Sequence, residues 1–549
     1  MTATDAVPVL IAGAGPSALV AALTLLQNGI SIRIIEKEDE HRLGQRGAGL
    51  FPRSLELFHF LDVPEVDQTA KPMPFMRTYK PGTVEPLKTF PMSPYQDPTP
   101  AFPYFNPCML GQQTLEGILR AHLEKLSCFV ETGTELRSFE QFPDHVVAHV
   151  VKKRDGEEIQ ETIKAKWLIG ADGAKGVVRK QLGLTFLGET KDMRLITGDI
   201  RLKGLDHEHW HVFGESQTNF IIIRPTEEID PDGYQFTMSE STVDYPVVKS
   251  SADEVYKHIA SLVPTNLTFE ELIWVSEFRA NIRMVNRFGE GRVFVSGDAA
   301  HVHSPTGGQG LNSSLTTLQL NLAWKLALVH KGLAPASLLD SYTTERLPVI
   351  AEMLDITTAL LKKTMARDSN KEEVFERNQR LYMLGVNYRS SPIVLDEVIP
   401  PSDVKPIDAY GLIQDGSLQA GDRAPDAPGL VDVNSGRNVR FFDIFRPHLH
   451  TILVFTSDAA KAAHIISELR RYEQNVLRSV IVLPAGLSTQ ADSAADVVLE
   501  DKEGYAYKHY LVGDETRVVV VRPDGVAGAI VHGAEGMVRY FDKVFVSQS

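Results

Sequence analysis

A chain that runs Val7-Pro-Val-Leu-Ile-Ala12 directly into Gly13-Ala-Gly15-Pro16-Ser17-Ala18 has few folds open to it. The apolar run reads as a buried strand, Gly13 permits a tight turn, and Gly15 lets the main chain approach a pyrophosphate. Leu19, Ala22, Leu23 and Leu26 then recur at helical spacing up to the stop at Asn28-Gly29, and Ile30 to Ile35 supplies a second strand closed by Glu36 and Lys37. This predicts a βαβ unit whose helix begins at Pro16 and Ser17, with unpaired N–H groups and partial positive charge turned toward a phosphate. Glu36 stands where an acid accepts hydrogen bonds from ribose hydroxyls. Ala18 takes the third glycine position, which governs helix-to-strand packing. Without strand, helix, second strand and acid in register, the same glycines would mark only a turn.

Further on, Pro72 to Pro107 is proline-rich with little periodicity and reads as an irregular excursion. Leu110-Gly-Gln112-Gln113-Thr-Leu-Glu116 opens a helical stretch to Leu126, and alternating segments flank Asp155-Gly156 as a meander. Trp167 to Gly170 is a strand ending at Ala171-Asp172-Gly173, with Arg179 one helical turn or so beyond. Residues from about 190 to 285 read as an inserted antiparallel sheet. The nucleotide fold resumes at Gly291 to Ser296, followed by Gly297-Asp298-Ala-Ala-His301, by Gly307-Gly308-Gln-Gly310-Leu311-Asn312, and by a helix through Leu315, Leu318, Leu322, Leu326 and Val329. Pro401 to Ala424 is loop-like, and beyond it strands and a helix over Ala459 to Tyr472 form another unit. The class is α/β, divided as 1–185 and 291–410 for the two parts of a Rossmann-like nucleotide domain, 186–290 for the inserted sheet and 411–549 for the C-terminal domain.

Composition closes off other classes. Fifty-six Lys and Arg against 71 Asp and Glu leave a formal charge of −15, which repels nucleic acid and anionic lipid. Two cysteines, Cys108 and Cys128, make no disulfide framework and no CxxC pair. No basic leader precedes an apolar stretch, and no window approaches the roughly 18 apolar residues of a membrane span, so a cytoplasmic protein is expected. His209 with His211, and His301 with His303, alternate on strands without a third ligand, so no metal site is expected.

Three motifs in fixed order, Gly13-Ala-Gly-Pro-Ser-Ala18, Gly170-Ala-Asp-Gly173 with Arg179, and Gly297-Asp-Ala-Ala-His301 with Pro305 and Gly308 to Asn312, resemble those of the single-component FAD-dependent aromatic hydroxylases, in their phenol hydroxylase-like branch. The likeness extends to Asn321 to Leu326, to Ser341 to Arg346, and to Gly421 to Pro425 and Arg522 to Gly525, which resemble that branch's thioredoxin-like C-terminal domain. It implies FAD held by Gly13, Gly15, Pro16, Ser17, Glu36 and Lys37 at the ADP half, by Gln112, Asp172 and Asp298 in the middle, and by Gly308, Gly310, Leu311 and Asn312 at the ring. NADPH would visit transiently near Asp172. Arg46, within Gly44-Gln-Arg-Gly-Ala-Gly49, resembles a loop set beside a mobile flavin. Two positions depart from the pattern: Gly176 replaces a common serine, and Ala48 stands where phenol hydroxylases often carry aspartate.

The chemistry implied is hydroxylation of a phenolic or hydroxybenzoate-like compound by O2 through a flavin C4a-hydroperoxide, which needs a dry pocket; the apolar inserted sheet would wall it. A phenol of pKa about 10 needs a partner to draw off its proton. Arg46, Arg224, Tyr234 and His211 are the candidate substrate contacts, with Pro305 joined to them by the resemblance. Two alternatives stand beside this: another ring oxidation, including decarboxylating hydroxylation, and a flavin-binding scaffold without turnover. A homodimer is left open.

Overall fold

The computed structural model describes residues 6–154, 156–215, 219–229, 231–240, 244–248, 250–304, 307–314, 319–364, 379–399, 408–412, 416–487 and 495–546. Its first sheet runs in the order Gly289–Glu290, Val293–Val295, Glu157–Gly170, Val7–Ala12, Ile32–Ile35, Val130–Glu131. From Val293–Val295 to Val130–Glu131 the neighbours are parallel, and Val9, Leu10 and Ile11 are fully buried, as expected for strands covered on both faces. The helix Pro16–Gln27 packs against Gln112–Lys125 and Gln319–His330. The meander Thr134–Gln141, Val146–Arg154 branches from Glu157–Gly170, with Arg154 opposite Glu157; Asp155 of the expected turn lies outside the described residues. The expected helix after Asn312 is seen as Gln319–His330, while Leu315 and Leu318 also lie outside them.

The second sheet is ordered His301–Val302, Thr268–Val285, Phe186–Lys203, Gly233–Glu240, Asn219–Pro225, His209–Glu215, Phe75–Tyr79, Pro86–Phe90. Its last two strands correct the reading of residues 72–107 as irregular. Phe75–Tyr79 pairs in parallel with His209–Glu215, and Pro86 begins the outermost strand, the edge position where a missing N–H is harmless. A second correction concerns the wall. Strand alternation sends Ile196, Ile200, Ile221, Ile223, Phe236 and Met238 to the outer face, where Val255 and Ile259 of the helix Ala252–Leu262 cover them. The inner face therefore carries Asp199, Arg224 and Gln235, all buried.

The third sheet runs Leu395–Asp396, Ala527–Val531, Arg517–Val521, His450–Phe455, Leu477–Pro484, Val497–Asp501, Leu430–Asp432, Asn438–Val439. It recruits Leu395–Asp396 from ahead of position 411. No helix among the described residues is long and apolar enough to cross a membrane.

Buried charges join this C-terminal part to the rest. Glu345, fully buried, accepts from Lys325 at 2.7 Å, Arg522 at 2.7 Å and Ser391 at 2.6 Å, while Arg522 also holds Asp524. Burial alone would raise the Glu345 carboxyl; Arg522 and Lys325 outweigh it and hold that group well below the usual carboxylate range. A second cluster sets Glu56, also fully buried, between Arg53 at 2.8 Å and Arg423. Glu56→Gln would leave two guanidinium groups buried without their carboxylate, so a loss of about 3–5 kcal/mol is expected in urea unfolding of the full chain. A loss below about 1 kcal/mol, the range of exposed pairs, would contradict this account.

Candidate active site

Three neighbouring parallel strands end side by side: Ala12 is in register with Gly170, and Gly170 with Val295. The three glycine motifs follow these carboxyl ends, so they meet in space although about 285 residues of chain separate the first from the last. Gly13 has φ +102°, and a Cβ there would lie 2.2 Å from the Ala171 carbonyl oxygen, so only glycine lets the first motif touch the second. A Cβ on Gly297 would sit 2.6 Å from the Ser17 hydroxyl, which ties the third motif to the first. Ala14 N–H donates to Glu36 at 2.9 Å, placing that carboxylate at the tip of the second strand; Lys37 beside it is exposed and paired with Glu38.

Around this junction lie groups suited to a nucleotide. The helix Pro16–Gln27 has no side-chain cap and no acid in its first turn, and a Cβ on Gly15 would meet nothing within 4 Å. Asp172 accepts Val177 and Val178 N–H through one oxygen, while its other oxygen is buried without a partner; burial raises its pKa. Gly176 fits the same geometry, since a Cβ there would fall 2.1 Å from Asp172 Oδ1. Asp298 is open to solvent yet lies deep enough in the protein for burial to raise its carboxyl, as for a side chain facing an internal cavity. Gln112 opens the helix Gln112–Lys125 and donates to Glu116 at 2.8 Å.

On the far side, Asn312 accepts Phe51 N–H and the Ser54 hydroxyl through Oδ1 and donates to the Gly49 and Gly308 carbonyls. Its side chain is thus a clasp between two loops, and only the main chain around Gly310 and Leu311 is left to face a ring. The helix Gln309–Asn312 starts beside this clasp, and residues 313–314 continue it as a wider helical turn. Gly47 stands next to Leu311, which brings the Arg46 loop against this segment.

The Arg46 loop is gripped by a single rung of the second sheet. Trp274, Asp199, Gln235 and Arg224 are in register across four adjacent strands. The Arg46 guanidinium lies 5.0 Å over the Trp274 ring, Asp199 accepts Gln45 N–H at 2.8 Å, and Gln235 donates to the Arg46 carbonyl at 3.0 Å. Arg224 holds Gln235 Oε1 at 2.7 and 3.2 Å, and burial pushes its pKa down to about 10. Arg46 itself has φ +26°, a strained value for a residue with a side chain.

Of the predicted substrate contacts, the structure brings Arg46 and Arg224 together and separates the others. Tyr234 lies on the outer face with its hydroxyl donating to the Leu205 carbonyl at 2.9 Å, and His211 lies there too, 2.6 Å from the Tyr79 hydroxyl. Strand parity sets them opposite Gln235 and Trp210, so neither reaches the cavity. Pro305 lies outside the described residues. Asp199, Gln235 and Trp274 were missed; the signal available was Thr197-Gly-Asp199, polar and small residues interrupting an apolar strand.

Three glycine motifs converging at parallel strand ends, beside a polar-faced inserted sheet, define a dinucleotide-binding fold. Residues 6–357 match the family described as FAD binding domain. A flavin-dependent monooxygenase of Mycobacteroides abscessus is 34% identical over 505 residues, covering 90% of this chain and 98% of that protein. Pentachlorophenol 4-monooxygenase of Sphingobium chlorophenolicum is 26% identical across 97% of this chain and 94% of its own. Among solved structures, the flavin-dependent monooxygenase PieE in complex with FAD and substrate superposes with a TM-score of 0.78 at 22% identity, covering 98% of this chain and 100% of that one. Aklavinone-11 hydroxylase with FAD and aklavinone gives 0.77 at 24%, covering 98% and 99%. The chain belongs to the FAD-binding, flavin-dependent monooxygenases.

The residues present fit FAD: the open cradle at Gly15, the uncapped helix and the unpartnered Asp172 oxygen each await a polar ligand. Gly15→Val should leave the melting temperature of the FAD-free protein unchanged, since its Cβ has room, and weaken FAD binding at least about tenfold by fluorescence titration. Gly13→Ala, which collides with Ala171, should lower the melting temperature as well. Equal behaviour of the two variants would contradict the assignment.

Proposed function

We propose that this enzyme hydroxylates a phenolic or hydroxybenzoate-like ring with NADPH and O2. The observation that carries the reading is the placement of Arg46: open to solvent, within electrostatic reach of Asp298 and over Trp274, held by a strained turn between the nucleotide motifs and the inserted sheet. Bound FAD supplies the activation of oxygen that side chains cannot. The chain's own task is to hold the ring, exclude water and manage one proton. Arg46 places a positive charge where a phenol would lose that proton, lowering the cost of the phenolate. Arg224, behind Gln235, adds a second positive charge, this one buried, to the same face. The name of the pentachlorophenol relative supports a phenol as the substrate class.

Ala48, buried, offers no carboxylate as base, which favours charge stabilisation by arginine and keeps a non-phenolic ring, with loss of carboxylate, as the second reading. The C-terminal unit we infer to be thioredoxin-like, on the parallel pair His450–Phe455 with Leu477–Pro484 flanked by antiparallel Arg517–Val521 and Ala527–Val531. Neither cysteine of the chain falls in it, so it performs no thiol exchange.

With a panel of phenols, an accepted substrate should accelerate NADPH oxidation, with little peroxide released. Product mass separates simple from decarboxylating hydroxylation, and no acceleration by any aromatic compound would leave the scaffold reading. Arg46→Met is expected to keep FAD and lose about a hundredfold in product formation.

A further inference from the structure

We propose that Asp199 is the positioning residue of this site: its carboxylate fixes the seat of the Arg46 loop, and protonation releases it. The catalytic part of this statement rests on the oxygenation reading above; the seating of the loop does not.

The rung Trp274–Asp199–Gln235–Arg224 takes hold of three successive loop residues, Gly44 and Arg46 over Trp274, Gln45 by Asp199, and the Arg46 carbonyl by Gln235. Asp199 is its only carboxylate. It is 1% exposed, one oxygen accepts Gln45 N–H, and the other has no partner. A buried carboxylate with a single neutral donor is poorly compensated, so its charge is held weakly. Burial pushes the group up to about 6; Gln45 N–H, Arg224 and Arg46 draw it down, and Glu228, whose carboxylate accepts Gly111 N–H at 2.5 Å, pushes it up. Above that range the charge-assisted bond to Gln45 pins a loop whose Arg46 turn is strained. Below it the bond becomes a neutral one, roughly half as strong, and the strain at Arg46 opposes the seat. Asp199 acts through Gln45 on Arg46.

The test uses FAD-loaded, substrate-free protein, with flavin absorbance and fluorescence followed from pH 5 to 8. Wild type should change with a midpoint near about 6. Asp199→Asn, which resembles the neutral acid, should show no such transition and at pH 8 match wild type at pH 5. With an accepted phenol at pH 8, the same variant should form product about tenfold more slowly at unchanged KM. A flat wild-type titration, or an unchanged midpoint in Asp199→Asn, overturns the proposal. Should that variant not load FAD, Gln45→Pro, which removes the N–H that Asp199 accepts, should give the pH 5 spectrum throughout; a wild-type titration there also overturns the proposal. If instead no aromatic compound accelerates NADPH use in any variant while the spectral transition follows Asp199, the oxygenation reading fails and the latch stands.

Discussion

The parallel register of Val7–Ala12, Glu157–Gly170 and Val293–Val295 is the constraint on which the rest of this enzyme depends. Parallel strands require crossover connections, so three neighbours at the centre of one sheet come from distant stretches of chain. Their carboxyl ends nevertheless open on one edge, where the helix Pro16–Gln27 begins without a side-chain cap. That edge suits an elongated nucleotide because its glycine motifs are spread over three loops. The inserted sheet is possible for the same reason: five of its strands occupy the second of two long crossovers, between Gly170 and Val293, with Phe75–Tyr79 and Pro86–Phe90 added from the first and His301–Val302 from just beyond the second.

Period-two alternation then divides the inserted sheet by function. Its outer face is apolar and covered by Ala252–Leu262, a local hydrophobic core that stabilises the sheet independently of any ligand. Relieved of that role, the inner face can carry Arg224, Gln235 and Asp199, which would be costly to bury without partners. Arg224 is bonded within the face by Gln235, while Asp199 and Gln235 find partners in the 44–46 loop, so sheet and loop depend on each other. The 44–46 loop is thus positioned by the sheet opposite it.

Much of this was legible in residues alone, and the boundary of legibility has a physical cause. The βαβ unit, the Asp172 and Asp298 motifs and the inserted sheet announce themselves through local periodicity and turn chemistry, which depend on a few consecutive residues. Which face of a strand meets the cavity depends on a partner elsewhere in the chain. Tyr234 and Gln235 are neighbours in sequence, and the choice between them was invisible until the register with Arg224 and Asp199 was known. The hairpin at Phe75–Tyr79 was hidden similarly, because prolines that signal loops also mark edge strands, and only the pairing with His209–Glu215 distinguishes them.

The same logic ties the C-terminal part of the chain to the site. The helix Pro52–Phe60 presents Arg53 to the Asp524 carbonyl at 2.9 Å, Glu56 to Arg423, and Ser54 to Asn312 at 2.7 Å. One short rigid element therefore touches both the C-terminal turn and the clasp that closes the Gly308 to Asn312 loop. Apolar packing alone, as between Phe60 and Phe442 at 4.8 Å, is tolerant of sliding. Buried guanidinium–carboxylate pairs are not, because a small displacement leaves charges unsolvated. Joining the domains through Arg53, Glu56 and Arg423 thus fixes the register of the helix, and with it the position of Asn312, more sharply than hydrophobic contact would.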